Sequence, residues 1–306
     1  MDGVKHRPAA PLPLTEEQNP STADLDLLDT HELLHRINDE DRRCVWAVER
    51  ELDVIGTAVD AIAKRLSEGG RLHYFGAGTS GRVAVMDAAE IPPTFSTPKD
   101  LVCAHIAGGA HAMTASVEAA EDDEQAGAAE AALAKIDAHD VAIGLSASGG
   151  APYVLGAMRA ARSAGALTIG IANSPGTELL RDVEIPIALL TGPEVIAGST
   201  RMKAASAQKM ALTTISTAVM VKLGRVHGNL MVDVDASNEK LRARARRVVK
   251  QLTSAPDERV TAALEASGQR VREACVMLAS NCGVEEARSR LAAAGGSLRK
   301  ALAAPK

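Results

Sequence analysis

The chain has 306 residues, 46% hydrophobic and 24% charged, which is enough apolar material for a full core and room for about two domains. A net charge of −5 with 2% aromatic residues supplies neither a basic field nor stacking platforms, so nucleic acid is excluded as an expected partner. No apolar run reaches membrane-spanning length, MDGVKHRPAAPLPL lacks the apolar segment of a signal peptide, and Cys44, Cys103, Cys275 and Cys282 have no C-x-x-C spacing; free thiols, a cytoplasmic location and no membrane contact are expected.

Residues 1–20 contain four prolines and read as a flexible tail. Residues 21–56 read as N-terminal helices. Ser21 or Thr22 is placed to cap the first, Asp24 to Ile37. Inside it, His31-Glu32-Leu33-Leu34-His35 fits H-E-x-x-H, a zinc pattern that Glu49 or Glu51 could complete. Leu33 and Leu34 read instead as the buried stripe of this helix, with the histidines on a solvated face, so no metal is expected. A second helix, Glu40 to Glu68, carries Val45, Val48, Leu52, Ile55, Val59, Ile62 and Leu66 at helical period and ends at Gly69-Gly70. Such a stripe suits a sheet or a partner subunit.

Residues 57–225 read as an α/β domain. Its key stretch is RLHYFGAGTSGRVAVMDAAEIPP, Arg71 to Pro93. A strand, His73 to Phe75, enters the loop Gly76 to Arg82, and a helix, Val83 to Glu90, is expected to stop before Pro92 and Pro93. Strand, Gly/Ser/Thr loop and helix form an anion site, because helix N-terminal amides point at negative charge and Thr79 and Ser80 add hydroxyls. Gly76, Gly78 and Gly81 also match the dinucleotide pattern G-x-G-x-x-G. Asp100, however, precedes the next apolar run instead of ending it, which argues against that reading.

Leu101 to Ile106 is a second strand and Thr114 to Ile136 a helical stretch. Val141 to Leu145 is a third strand, followed by Ser146-Ala147-Ser148-Gly149-Gly150 and a helix, Tyr153 to Ala164, started by Pro152. Leu167 to Ala172 and Ile185 to Leu190 are strands on either side of a short helix, Pro175 to Leu180, and Arg201 to Leu223 is a long helix. This alternation predicts a five-stranded parallel sheet flanked by helices, with ligands at the carboxyl ends of the strands. Two of those ends carry hydroxyl-rich loops, Thr79-Ser80 and Ser146–Ser148, which together suggest a sugar phosphate. Residues 236–306 read as a small C-terminal helical domain, with the run Arg242, Arg244, Arg246 and Arg247 as a solvated face.

Gly192-Pro193-Glu194 and Gly198-Ser199-Thr200-Arg201-Met202-Lys203, with Lys209, resemble the signature shared by glucokinase regulatory protein and the N-acetylmuramic acid 6-phosphate etherases. GAGTSGR with DAAEIPPTF, GGAHAMTASVEAAEDDEQAG and GNLMVDV resemble the etherases specifically, over Leu14 to Leu302. The resemblance implies the sugar isomerase fold, a homodimer with its site near the subunit interface, and no cofactor. It implies that Thr79, Ser80, Ser146 and Ser148 hold the phosphate, that Glu194 and Ser199 contribute to substrate binding, and that Glu90 and Glu121 are the catalytic pair, as acid and base. Where related loops read S-G-x-T-P, this chain has Ser148-Gly149-Gly150-Ala151-Pro152, so one hydroxyl is missing at Ala151. A sugar-phosphate sensor or an aldose–ketose isomerase on the same fold is the alternative expectation; release of lactate separates both from an etherase.

Overall fold

The computed structural model describes residues 13–233 and 239–303; the first part of the expected tail and both ends of the 236–306 region lie outside the described residues. Five parallel strands form the centre: β1 (Leu72–Gly76), β2 (Val102–Ile106), β3 (Val141–Leu145), β4 (Leu167–Ala172) and β5 (Ile185–Ala188), in the order β2-β1-β3-β4-β5. The three inner strands are buried along their whole length, which is why LHYFG, VAIGL and LTIGIA read as nearly unbroken apolar runs instead of alternating ones. The chain starts at β1 and moves outward in both directions, so the crevice at the carboxyl edge lies between β1 and β3.

One face is covered by α1 (Thr30–Arg50), α2 (Leu52–Ser67), α3 (Gly78–Phe95) and α7 (Lys203–Lys222), whose apolar residues join the sheet in one core that includes Ile55, Ile62, Ile143, Leu212 and Ile215. The other face is covered by α4 (Glu124–Leu133), α5 (Pro152–Ser163) and α6 (Glu178–Asp182), around Phe75, Val154 and Met158. A short hairpin follows, β6 (Val226–His227) and β7 (Leu230–Met231), turning at Gly228 with φ of 59°. Helices α8 (Glu239–Thr253), α9 (Asp257–Ala266), α10 (Val271–Ser280), α11 (Val284–Ala293) and α12 (Leu298–Ala303) enclose a separate core. Asp233 ties this helical unit to the sheet domain: its carboxylate meets Arg225 at 3.3 Å and Arg272 at 2.5 Å, and its carbonyl accepts from Ser96 at the end of α3.

Several expected boundaries are corrected. The first helix starts at Thr30, capped by Asp29, whose carboxylate accepts from the Glu32 amide at 2.9 Å; the two expected N-terminal helices divide at Glu51 instead. Leu34, Val45 and Leu52 point outward, although Val48, Ile55, Val59, Ile62 and Leu66 are buried as the stripe predicts. Pro92 and Pro93 lie inside α3. Their missing amides leave the carbonyls of Ala88 and Ala89 without a helical donor in the last turns of the helix. The helical stretch Thr114 to Ile136 is a 3-10 turn, Glu118–Asp122, followed by α4. In the C-terminal helical region, α9 and α10 are separated at Gly268-Gln269, both with positive φ. Residues 13–20 are packed instead of loose: Thr15 is fully buried, its carbonyl accepts from Gly198 at 3.0 Å, and the Asn19 amide reaches Glu40 at 2.7 Å.

Candidate active site

The β1 loop is shaped by contacts as much as by a ligand. A Cβ on Gly76 would sit 2.7 Å from the Gly81 nitrogen, and one on Gly81 would sit 2.5 Å from the Ile106 side chain, so both glycines are needed for α3 to leave the strand this closely. The first closed backbone bond of α3 is from Gly81 to Ala77 at 3.1 Å. The amides of Gly78, Thr79 and Ser80 therefore precede the helical ladder, and these residues line the crevice, the arrangement of an anion site.

The β3 loop closes on itself. Ser146 Oγ is buried and accepts from the amides of Gly149 at 3.1 Å and Ala151 at 3.5 Å, while Ser148 Oγ accepts from Gly150 at 3.3 Å. Gly149 has φ of 69°, and a Cβ there would lie 2.2 Å from Thr177 Oγ1, so only glycine fits. Ala151 is the residue before α5 and makes no side-chain cap.

The two loops face each other across a cavity of about 450 Å³ whose lining includes Thr79, Ser80, Ser146, Ser148, Ala151 and Glu121. Glu121 stands in the 3-10 turn Glu118–Asp122; partial burial of its carboxyl and the neighbouring charge of Asp122 raise its pKa, the direction that suits a general base. Arg82, from the first turn of α3, holds the approach to that turn by donating to the carbonyls of Ala112 at 2.9 Å and Ala115 at 3.0 Å. Glu16, Gly198 and Thr200 close the remaining wall. These residues were not legible from the sequence, except that Thr200 belongs to the same hydroxyl run as Ser199.

Three expected site residues stand elsewhere. Glu194 is fully buried and caps α7: its carboxylate accepts from the amides of Lys203 at 3.0 Å and Ala204 at 2.8 Å, a structural duty. Ser199 does not line the cavity, although both neighbours do. Glu90 is exposed near the far end of α3, ten residues beyond Ser80, or about 15 Å along the helix at ~1.5 Å per residue. His31 and His35 are exposed on α1 with ring centroids 4.5 Å apart.

A five-stranded parallel sheet with two phosphate-type loops at the β1/β3 edge defines a sugar isomerase domain. Residues 110–221 match the model of the SIS domain, and residues 54–162 match that of the glucokinase regulatory protein N-terminal SIS domain. A solved phosphoheptose isomerase from Neisseria gonorrhoeae is similar over 62% of this chain and 98% of that one, at 17% identity and a TM-score of 0.48. N-acetylmuramic acid 6-phosphate etherases of Deinococcus radiodurans and Rubrobacter xylanophilus are each 49% identical to this chain over 94% of its length, and over 94% and 95% of theirs. The etherase of Mycolicibacterium smegmatis is 47% identical over 95% of this chain. The chain belongs to the N-acetylmuramic acid 6-phosphate etherase family.

Proposed function

We propose that this protein cleaves the lactyl ether of N-acetylmuramic acid 6-phosphate, giving N-acetylglucosamine 6-phosphate and D-lactate, as a cytoplasmic carbon–oxygen lyase of cell-wall amino sugar recycling. The observation that carries this reading is the facing pair of amide and hydroxyl loops with a carboxylate of raised pKa across the same cavity. The phosphate lies between Thr79-Ser80 and Ser146–Ser148. In the open-chain aldehyde the C2 hydrogen is alpha to a carbonyl, and Glu121 removes it. The C3–oxygen bond breaks as the C2 electron pair forms a double bond. An acid protonates the departing lactate oxygen, and water adds at C3 to restore the sugar.

Glu90 is that acid, and it comes from a second copy of the chain. The six bonds from phosphorus to the C3 oxygen span less than about 9 Å at ~1.5 Å each. Along α3 the backbone of Glu90 stands ten residues beyond Ser80, about 15 Å at ~1.5 Å per residue, which is longer than that span. The outward side chains of Leu34, Trp46 and Leu52 give the helical layer apolar surface suited to such a homodimer. Incubation with N-acetylmuramic acid 6-phosphate tests the reading. Wild-type protein releases lactate, Glu121→Gln lowers the rate at least about 100-fold, and Ser80→Ala and Ser148→Ala weaken binding. No lactate from the wild type would refute it.

A further inference from the structure

Among the described residues the cavity between the two loops has no cation in its lining; its charged members there are Glu16, Glu121 and Asp122. The phosphate is served by amides and hydroxyls, but the substrate carries a second anion, the lactyl carboxylate. Its carboxyl carbon is two bonds from the ether oxygen, within about 3 Å. The acid that protonates that oxygen must approach to about 3 Å as well. The carboxylate therefore lies beside Glu90, and once Glu90 has given up its proton two like charges stand together, which calls for a cation.

The structure supplies cations in a cavity whose edge comes within one helical turn of Glu90. Pro93, on the same helix face at i+3, lines a second cavity of about 750 Å³ between the end of α3 and the helical unit. The cations in its lining are Lys99, Arg270 and Arg272. Arg272 is engaged by Asp233 at 2.5 Å and by the Gly296 carbonyl at 2.6 Å. Lys99 is exposed and has no ion pair among the described residues, and Arg270 makes only a 3.5 Å contact to Glu273 with two-thirds of its side chain exposed. Thr97, in the same lining, has a buried hydroxyl with no hydrogen-bond partner among the described residues. Gln269 is held there at φ of 66°, a conformation that costs a non-glycine residue energy. An unpartnered buried hydroxyl, the unpaired Lys99 and the weakly paired Arg270 are the groups a carboxylate would satisfy, beside the lining carboxylates Asp233, held by Arg272, and Glu273.

We propose that this cavity reads the lactyl carboxylate of substrate held in the partner's Ser80–Ser148 cavity, with Lys99 and Arg270 as its charge partners and Thr97 as a donor. This rests on the etherase reading and on Glu90 acting across a dimer. It gives the helical unit a role in specificity, because Arg270 and Gln269 belong to it.

Lys99→Met and Arg270→Met should each raise KM for N-acetylmuramic acid 6-phosphate at least tenfold. Inhibition by N-acetylglucosamine 6-phosphate, which has no carboxylate, should stay within twofold, and Arg270→Lys should recover most of the loss. Equal effects on both ligands, or on neither, would overturn the proposal. Subunit mixing separates it from the reading beneath it. Glu90→Gln and Ser148→Ala chains, each of low activity alone at limiting substrate, should gain activity when mixed, because one intact composite site forms. Adding Arg270→Met to the Ser148→Ala chain should raise KM of the mixture; adding it to the Glu90→Gln chain should not. No recovery on mixing refutes the shared site and with it the proposal. Recovery with KM indifferent to Arg270→Met on either chain refutes the proposal alone.

Discussion

Replacing Lys203 by Met removes the cation that ties the start of α7 to α1 and, through Glu40, to the 13–20 segment. Lys203 is fully buried at the start of α7, and its ammonium bonds to Glu40, itself 4% exposed on α1. Glu40 also accepts from Asn19 at 2.7 Å and meets Arg43 at 3.2 Å. Burial alone would raise the Glu40 pKa, but Lys203, Asn19 and Arg43 together hold it below the usual value, so it is ionised at neutral pH. Without Lys203 a buried carboxylate keeps only an amide and a half-exposed arginine, and losing one partner of a buried pair costs about 3–5 kcal/mol. Urea unfolding should show that loss. Replacing Glu40 by Leu in the same chain should recover about half or more of it, since no orphaned charge is left. The substrate KM should rise as well, because Asn19 and Lys203 fix the segments that bring Glu16 and Thr200 to the cavity. A cost under about 1 kcal/mol, or a double variant less stable than Lys203→Met, would refute the reasoning.

Ala151→Thr should restore a hydroxyl at the cavity and a cap for α5, tightening sugar-phosphate binding about tenfold or more, as a hydrogen bond to a charged group of ~1.5–3 kcal/mol implies; calorimetric titration measures it. Asp122→Asn should move the acid limb of the kcat/KM profile to lower pH. Glu121 must be ionised to act, and the Asp122 charge helps hold its pKa up. A limb that stays in place would separate this limb from Glu121. His73 is 1% exposed, and burial, helped by His105, pushes its pKa down from 6.5 to about 4. Its contribution to stability is present above pH 6.5 and is lost as pH falls toward 4, by about 3 kcal/mol; unfolding of His73→Gln should show a shallower decline over that range.

The β1 loop, the β3 loop and the succession of five strands along the chain were legible because each rests on local chemistry: unbroken apolar runs for buried parallel strands, and Gly with Ser or Thr where a backbone meets an anion. The wall built from residues 13–20 was not. Its prolines read as a tail, yet Thr15 and Asn19 are held by Gly198 and Glu40, far away in sequence, and no periodicity records such bonds. Glu194 in its signature motif invited a ligand role, while its carboxylate proves to serve the free amides of α7. Glu121 is one acid among five in its neighbourhood, Glu118 and Glu121 through Glu124, and only the fold singles out the one that reaches the cavity together with Asp122. The separation of Glu90 from the phosphate loops follows from its ten-residue distance beyond Ser80, while the prolines hid only that α3 continues to Phe95.

The most direct measurement follows N-acetylmuramic acid 6-phosphate in deuterated water by NMR. Removal of the C2 proton by Glu121, loss of lactate and return of water require that each lactate released be matched by one deuterium at C2 of the N-acetylglucosamine 6-phosphate formed. Glu121→Gln should abolish both signals together. Lactate released with the original hydrogen retained at C2 would contradict elimination, and an unchanged rate without the Glu121 carboxylate would contradict its role as the base.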